Sequence, residues 1–128
     1  DFLGRALAAL GLEGEVIAAR AEDAARDPEH RERYLTATAR AVASGPVVAE
    51  LTVPFLAIGG RALLQRGGLQ AKERNAVADA ALVLGAELIE ERPLDGDRRV
   101  LVLLKTTATG PRFPRKNGTP GKRPLCFS

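Results

Sequence analysis

The chain is 128 residues long, 45% hydrophobic and 27% charged, which suits one soluble globular domain with a core of its own and is too short for two. No apolar run approaches the roughly 20 residues needed to cross a bilayer, and the opening DFLGRALAAL lacks the basic start of a secretory signal. The single cysteine, Cys126, excludes an internal disulfide and fits a reducing, cytoplasmic setting, while the single histidine, His30, leaves no Cys/His cluster for zinc.

Net charge is +3, and it is unevenly spread. Residues 98–128 hold eight Lys and Arg and no acid, whereas residues 1–97 hold the other 11 bases against all 16 acids. A slightly acidic body with a basic end points to a polyanion such as nucleic acid. A solvated basic tail without a partner is the plainer alternative.

Leu3, Leu7 and Leu10 recur at helical spacing, so residues 1–10 read as a helix that Gly11 ends. Glu15 to Arg20, EVIAAR, is a short strand candidate. Ala21, Glu22 and Asp23 turn after it, and Glu22 or Asp23 is placed to cap a short helix that Asp27-Pro28 breaks. Tyr34 to Val42, YLTATARAV, reads as a buried strand. Tyr34, Thr36 and Thr38 favour extended backbone, and Ala37, Ala39 and Ala41 leave room for helices on both faces. Arg40 falls where that strand runs out. In open α/β sheets the ligand crevice lies at the carboxyl ends of the strands. Arg40 is therefore a ligand contact or a loop-closing salt bridge.

Gly45-Pro46 starts a helix with Val48, Leu51 and Phe55 on one face, interrupted near Pro54 and ended by Gly59-Gly60. Arg61 to Gln65 is the next strand, closed by Arg66, Gly67 and Gly68. Gln70 to Leu84 is the clearest helix, with Val77, Ala80, Ala81 and Leu84 as its apolar stripe and Gly85 as its stop. Glu87 to Pro93 and Val100 to Thr106 are strands joined by a hairpin turn at Asp95-Gly96. This alternation predicts an α/β fold with a mainly parallel sheet and an antiparallel C-terminal hairpin. From Gly110 the chain becomes GPRFPRKNGTPGKRPLCFS, whose prolines fit neither helix interiors nor central strands. The expected organisation is an α/β portion over residues 1–109 and a basic Pro/Gly-rich tail over residues 110–128, anchored by Phe113 and Leu125.

Three stretches carry a family resemblance: RAED at Arg20 to Asp23, TARAVA at Thr38 to Ala43, and PRKNGTPGKRPL at Pro114 to Leu125. With them the chain resembles the small-subunit ribosomal RNA methyltransferase G family, also called glucose-inhibited division protein B. The resemblance implies a Rossmann-like S-adenosylmethionine-dependent methyltransferase sheet, with its N-terminal strands preceding Asp1. It implies transfer of a methyl group from S-adenosylmethionine to N7 of a guanine in 16S rRNA, in the cytoplasm, by a protein that is monomeric when full length. Its partner would be 16S rRNA or the small ribosomal subunit, with no membrane and no metal.

The matching positions place Ala21 and Glu22 at the adenine end of the cofactor. They place Arg40 in the cofactor pocket, on the methionine carboxylate or the target base. Arg112, Arg115, Lys116, Lys122 and Arg123 would then be RNA contacts. No general acid or base is expected, because guanine N7 already carries an in-plane lone pair. The family's glycine-rich loop and ribose-binding acid are absent, and Arg66 and Asn117 stand where the family usually has lysine and often has proline. The alternative function is therefore a truncated, inactive relative that binds rRNA.

Overall fold

The computed structural model describes residues 2–40 and 43–126. Helix α1 (Phe2–Leu10) is followed by the short α2 (Ala21–Ala24), strand β1 (Tyr34–Arg40) and helix α3 (Gly45–Thr52). A 3-10 turn (Val53–Phe55) leads into strand β2 (Leu56–Arg66) and helix α4 (Ala71–Leu84). Strands β3 (Ala86–Pro93) and β4 (Arg99–Lys105) and a last short helix, α5 (Thr119–Lys122), complete the chain. The four strands form one sheet in the order β1-β2-β4-β3. Strands β1 and β2 are parallel, and β4 inserts antiparallel between β2 and β3.

One face of the sheet carries the core. Ala37, Ala39, Ala62, Leu64, Leu101 and Leu103 meet Val48, Ala49 and Val53 around α3 and Val77, Ala80, Ala81 and Leu84 on α4. The predicted α4 stripe is fully buried, and Gly85 ends the helix at φ 91°, a conformation that favours glycine. A Cβ there would also meet the Thr107 carbonyl oxygen at 2.6 Å. The opposite face, with Thr38, Arg40, Leu63, Gln65 and Val100, is hollowed by open cavities. Strands β1 and β3 are the sheet's edges, and helix α1 buries none of its residues.

Several sequence expectations change. Among the described strands the sheet is not mainly parallel: β1 and β2 are parallel, whereas the β2–β4 and β4–β3 pairs are antiparallel. Glu15 to Arg20 is not a strand: these residues are exposed, and Ala19 donates its amide to Ile17 O at 3.0 Å in a tight local turn. A strand exists only beside a neighbour, and none among the described residues lies alongside. The helix begun at Gly45 stops at Thr52, where Pro54 removes an amide donor, and not at Gly59-Gly60. The glycine pair lies inside β2. Tyr34 faces Leu56 while Thr36 faces Arg61, so β2 bulges between them, and a Cβ on Gly60 would come within 2.9 Å of Tyr34 O. Local sequence cannot tell a glycine pair that ends a helix from one that makes a bulge. The expectation that the first strand continues over Ala41 and Val42 lies outside the described residues.

The segment after β4 folds back over the body. Phe113 joins the core, and Leu125 packs against it. Arg115 forms a fork on Glu50, with Nη2 to Oε1 at 2.7 Å and its backbone amide to Oε2 at 2.8 Å. Glu50 is fully buried. Arg31 donates to the carbonyls of Phe113 at 2.7 Å, Gly110 at 3.0 Å and Thr109 at 3.1 Å. Arg26 donates to Arg112 O at 3.2 Å and also to Pro114 O. Prolines and turns leave such carbonyls without ladder partners, and the two arginines supply donors.

Lys105, at the end of β4, is buried with its ammonium inside the fold. Its Nζ donates to Leu56 O at 2.8 Å and Val53 O at 3.1 Å, and pairs with Glu32 at 3.1 Å. Burial pushes the Lys105 pKa down, with Glu32 pulling it back up in part. Burial alone would raise the Glu32 pKa, but the Thr109 amide and Lys105 outweigh it and hold the carboxyl below its ordinary value. Glu22 behaves likewise: burial opposes ionisation, and hydrogen bonds from the Gly118 amide, its own amide and Arg20 lower its pKa overall.

Lys105→Met removes the ammonium donor from two carbonyls and a carboxylate. It is expected to cost about 3–5 kcal/mol in urea unfolding; a loss below about 1 kcal/mol, the scale of one ordinary hydrogen bond, would refute the central role given to this ammonium. Glu22 and Glu32 are both lowered, so their stabilisation is present above the ordinary carboxylate pKa of about 4.3 and is lost as pH falls through the depressed values. Protection of the Gly118 and Thr109 amides against hydrogen exchange, corrected for intrinsic rate, should hold from neutral pH to about pH 5 and fall in stronger acid. Protection that stays constant to about pH 2 would contradict the assignment.

Candidate functional site

Arg40 is the last residue of β1, at the carboxyl end of the parallel pair, and its side chain is exposed. With Thr38, Ala39, Leu63, Gln65 and Val100 it lines a cavity of about 430 Å³ on the open face of the sheet. No residue of the described chain pairs with its guanidinium, so the salt-bridge reading of this arginine finds no partner among them. A cation of this kind, beside a polar and apolar wall, can receive a carboxylate or the acceptor edge of a base.

Ala21 opens α2 and is half-buried; Glu22 follows and is buried. The Glu22 carboxylate is engaged within the protein. Its Oε2 accepts from the Gly118 amide at 2.8 Å and from Arg20 Nη2 at 3.2 Å. Nor does Glu22 cap its helix, since the N-cap residue is Arg20. Asn117 donates to Asp23 Oδ2 at 3.3 Å, so α2 and the C-terminal segment meet along two consecutive residues of each. Ala21 and Glu22 do not line the cavity of Arg40.

The five basic tail positions separate into two kinds. Arg115 is committed to Glu50 and to Arg123 O at 2.6 Å. Arg112, Lys116, Lys122 and Arg123 are exposed, with Arg112 lying over the Phe113 ring at 5.4 Å. The sequence reading overlooked Glu50, Arg26 and Arg31. Glu50 alone had a signal: an acid inside the otherwise apolar GPVVAELT run. Among the described residues, Asp27, Glu29 and His30 bring metal-ligand atoms within 4.8 Å of one another, but on the exposed surface.

A second cavity, of about 570 Å³, opens between the start of α3, the turn after β2, the start of α4 and the C-terminal segment. Ser44, Pro46, Gly68, Gln70, Glu73 and Leu125 are among its walls. Beneath it Arg66 is nine-tenths buried, donates Nη1 to Ala43 O at 2.8 Å and pairs with Glu73 Oε1. Arg66 Nε has no partner among the described residues.

Comparison with known proteins places this geometry. The model of the family described as rRNA small subunit methyltransferase G matches residues 1–101. A ribosomal RNA small subunit methyltransferase G from Rubrobacter xylanophilus is 46% identical over 98% of this chain and 51% of its own length. Those of Pelotomaculum thermopropionicum and Deinococcus deserti are 43% and 40% identical, over 97% and 100% of this chain and 54% and 55% of theirs. The chain thus spans about half the length of the curated relatives it matches. Among solved structures, T. thermophilus 16S rRNA N2 methyltransferase RsmC, in complex with AdoMet and guanosine, superposes with a TM-score of 0.56 at 21% identity. The match covers 84% of this chain and 28% of that one, and it supports the Rossmann-like methyltransferase fold. Since the family match covers most of the residues that build the sheet, α3 and α4, the chain belongs to the rRNA small subunit methyltransferase G family.

Proposed function

We propose that this chain forms part of an S-adenosylmethionine-dependent methyltransferase acting on N7 of a guanine in 16S rRNA. The observation that carries the reading is Arg40: a cation without a partner among the described residues, at the carboxyl end of β1 and lining a cavity, in a chain of this family. The cofactor, when bound, supplies an electrophilic methyl group on a sulfonium. Arg40 fits its methionine carboxylate. The adenine end fits the backbone at Ala21, whose amide has no partner among the described residues, beside the Glu22 carboxylate, of which Gly118 and Arg20 take one oxygen, Oε2. Guanine N7 attacks through its own lone pair, so the protein supplies alignment and no proton acceptor.

The RNA-facing groups in this reading are Arg112, Lys116, Lys122 and Arg123, whose charged ends are exposed. Arg115 supports them from beneath by holding the segment to Glu50. The partner is 16S rRNA or the small ribosomal subunit, and the complete protein works as a cytoplasmic monomer. A relative that binds rRNA without transferring a methyl group is the second reading. It would rest on the exposed bases Arg112, Lys116, Lys122 and Arg123 alone.

Calorimetric titration of S-adenosylhomocysteine into the chain tests the first reading. Binding is expected, weakened about ten-fold or more in Arg40→Ala, the loss of one charge-assisted hydrogen bond. Absence of binding would favour the second reading, and unchanged affinity in Arg40→Ala would remove Arg40 from the cofactor site. For the RNA surface, replacing Lys116, Lys122 or Arg123 with alanine should each reduce the slope of log K against log salt by about 1. Arg115→Ala should instead lower stability, because it strands the buried Glu50; a reduced slope with unchanged stability would reverse that division.

A further inference from the structure

We propose that the cavity between α3, α4 and the C-terminal segment is the site for the target guanine, gripped by its Watson–Crick edge on Glu73. This rests on the proposed function and specifies where its substrate base would sit. The first reason is place. The cavity lies where β1 and β2 run out: Ser44 follows Arg40 by four residues, and Gly68 and Gln70 follow Arg66 at the end of β2. Ligands of open α/β sheets occupy this end. The second is size and lining. At about 570 Å³ it falls within the range of small-ligand sites, about 300–1,000 Å³. Pro46, Pro124 and Leu125 supply apolar walls for a flat ring, and Gln70, Lys72 and Glu73 supply polar groups.

The third reason is the chemistry of Glu73. Arg66 takes one carboxylate oxygen, Oε1, and is itself fixed by Ala43 O. Oε2 has no partner among the described residues, and the Glu73 side chain keeps 29% of its exposure. The result is a carboxylate turned by a buried guanidinium, with one acceptor left to offer. Guanine presents donors at N1 and N2, whereas adenine presents an acceptor at N1. A fixed carboxylate therefore accepts the first and repels the second. Enzymes that modify a base take it out of the stack and read this edge. In guanine N7 lies on the other side of the ring system from N1 and N2. Holding the base by N1 and N2 leaves N7 directed away from Glu73, free to meet a methyl donor. Lys72, at the rim, is placed for the phosphate of the same nucleotide. Gln70 lies beside Glu73 as a second group able to meet the O6 edge.

NMR titration of the chain with GMP, IMP and AMP, followed at the amides of Gln70, Glu73 and Leu125, tests the assignment. GMP is expected to bind about ten-fold more tightly than AMP, with IMP, which lacks the N2 donors, between them. Glu73→Gln should bring GMP to within about two-fold of AMP. Leu125→Trp, which fills the cavity and leaves the Arg66–Glu73 pair in place, should weaken all three nucleotides about ten-fold or more. GMP that leaves these amides undisturbed overturns the site, as does a guanine preference that survives Glu73→Gln. S-adenosylhomocysteine is titrated separately. Its binding without GMP binding would refute the base site alone, and GMP binding without it would count against the cofactor reading alone.

Discussion

The ammonium of Lys105 is the point on which this fold depends. It sits where three pieces of chain must meet: the end of β4, the change from α3 to β2, and the turn before β1. At the helix-to-strand change the carbonyls of Val53 and Leu56 both accept from its Nζ. Glu32, at φ 53°, holds a backbone conformation that side chains other than glycine rarely adopt. Its amide donates to Pro54 O at 2.9 Å, and its carboxylate binds both Lys105 and the Thr109 amide at 2.9 Å. A charge buried this deeply is tolerated only because each of its hydrogen-bond directions ends on an acceptor.

From that node the C-terminal segment is laid over the body by arginines and acids acting in opposite senses. Arg26 and Arg31 reach from the α2 region to carbonyls of the segment. Glu22, Glu32 and Glu50 reach its amides at Gly118, Thr109 and Arg115. Outside the single turn of α5, a segment rich in proline and glycine satisfies little of its own backbone, and side chains from elsewhere supply partners. The same contacts orient the remaining bases outward. Arg40 and Arg66 close strands β1 and β2, and the exposed bases Arg112, Lys116, Lys122 and Arg123 lie on the C-terminal segment.

The charge asymmetry of the sequence has a different meaning once the chain is folded. Eight bases without an acid after Asp97 read as a basic end to a slightly acidic body. In the fold, Lys105 is internal, Arg115 is held by Glu50, and Arg99 lies near Glu91 at 3.5 Å. The acids that hold Lys105 and Arg115, Glu32 and Glu50, lie far away in sequence, which is why counting charges along the chain could not pair them. Glu22 shows the same limit. Its carboxylate holds the Gly118 amide, 96 residues away, a contact that its place in RAED does not announce.

The sequence by itself determined the elements whose signals are local. The α4 stripe repeats within one helix, Gly85 stops it by backbone conformation, Asp95-Gly96 turns the hairpin, and Arg40 falls at a strand end whatever surrounds it. Tertiary structure decided everything that needs a distant partner. Glu15 to Arg20 carries strand-forming residues, but a strand is a property of two segments, and no neighbour lies beside it among the described residues. Gly59-Gly60 became a bulge because β1 set the register of β2. Glu50, Lys105, Arg26 and Arg31 acquired their roles through contacts across 49 or more residues. Periodicity and turn chemistry act over a few residues and are written in order along the chain; burial and charge pairing depend on which segments meet, and that is set only when the sheet and its helices close.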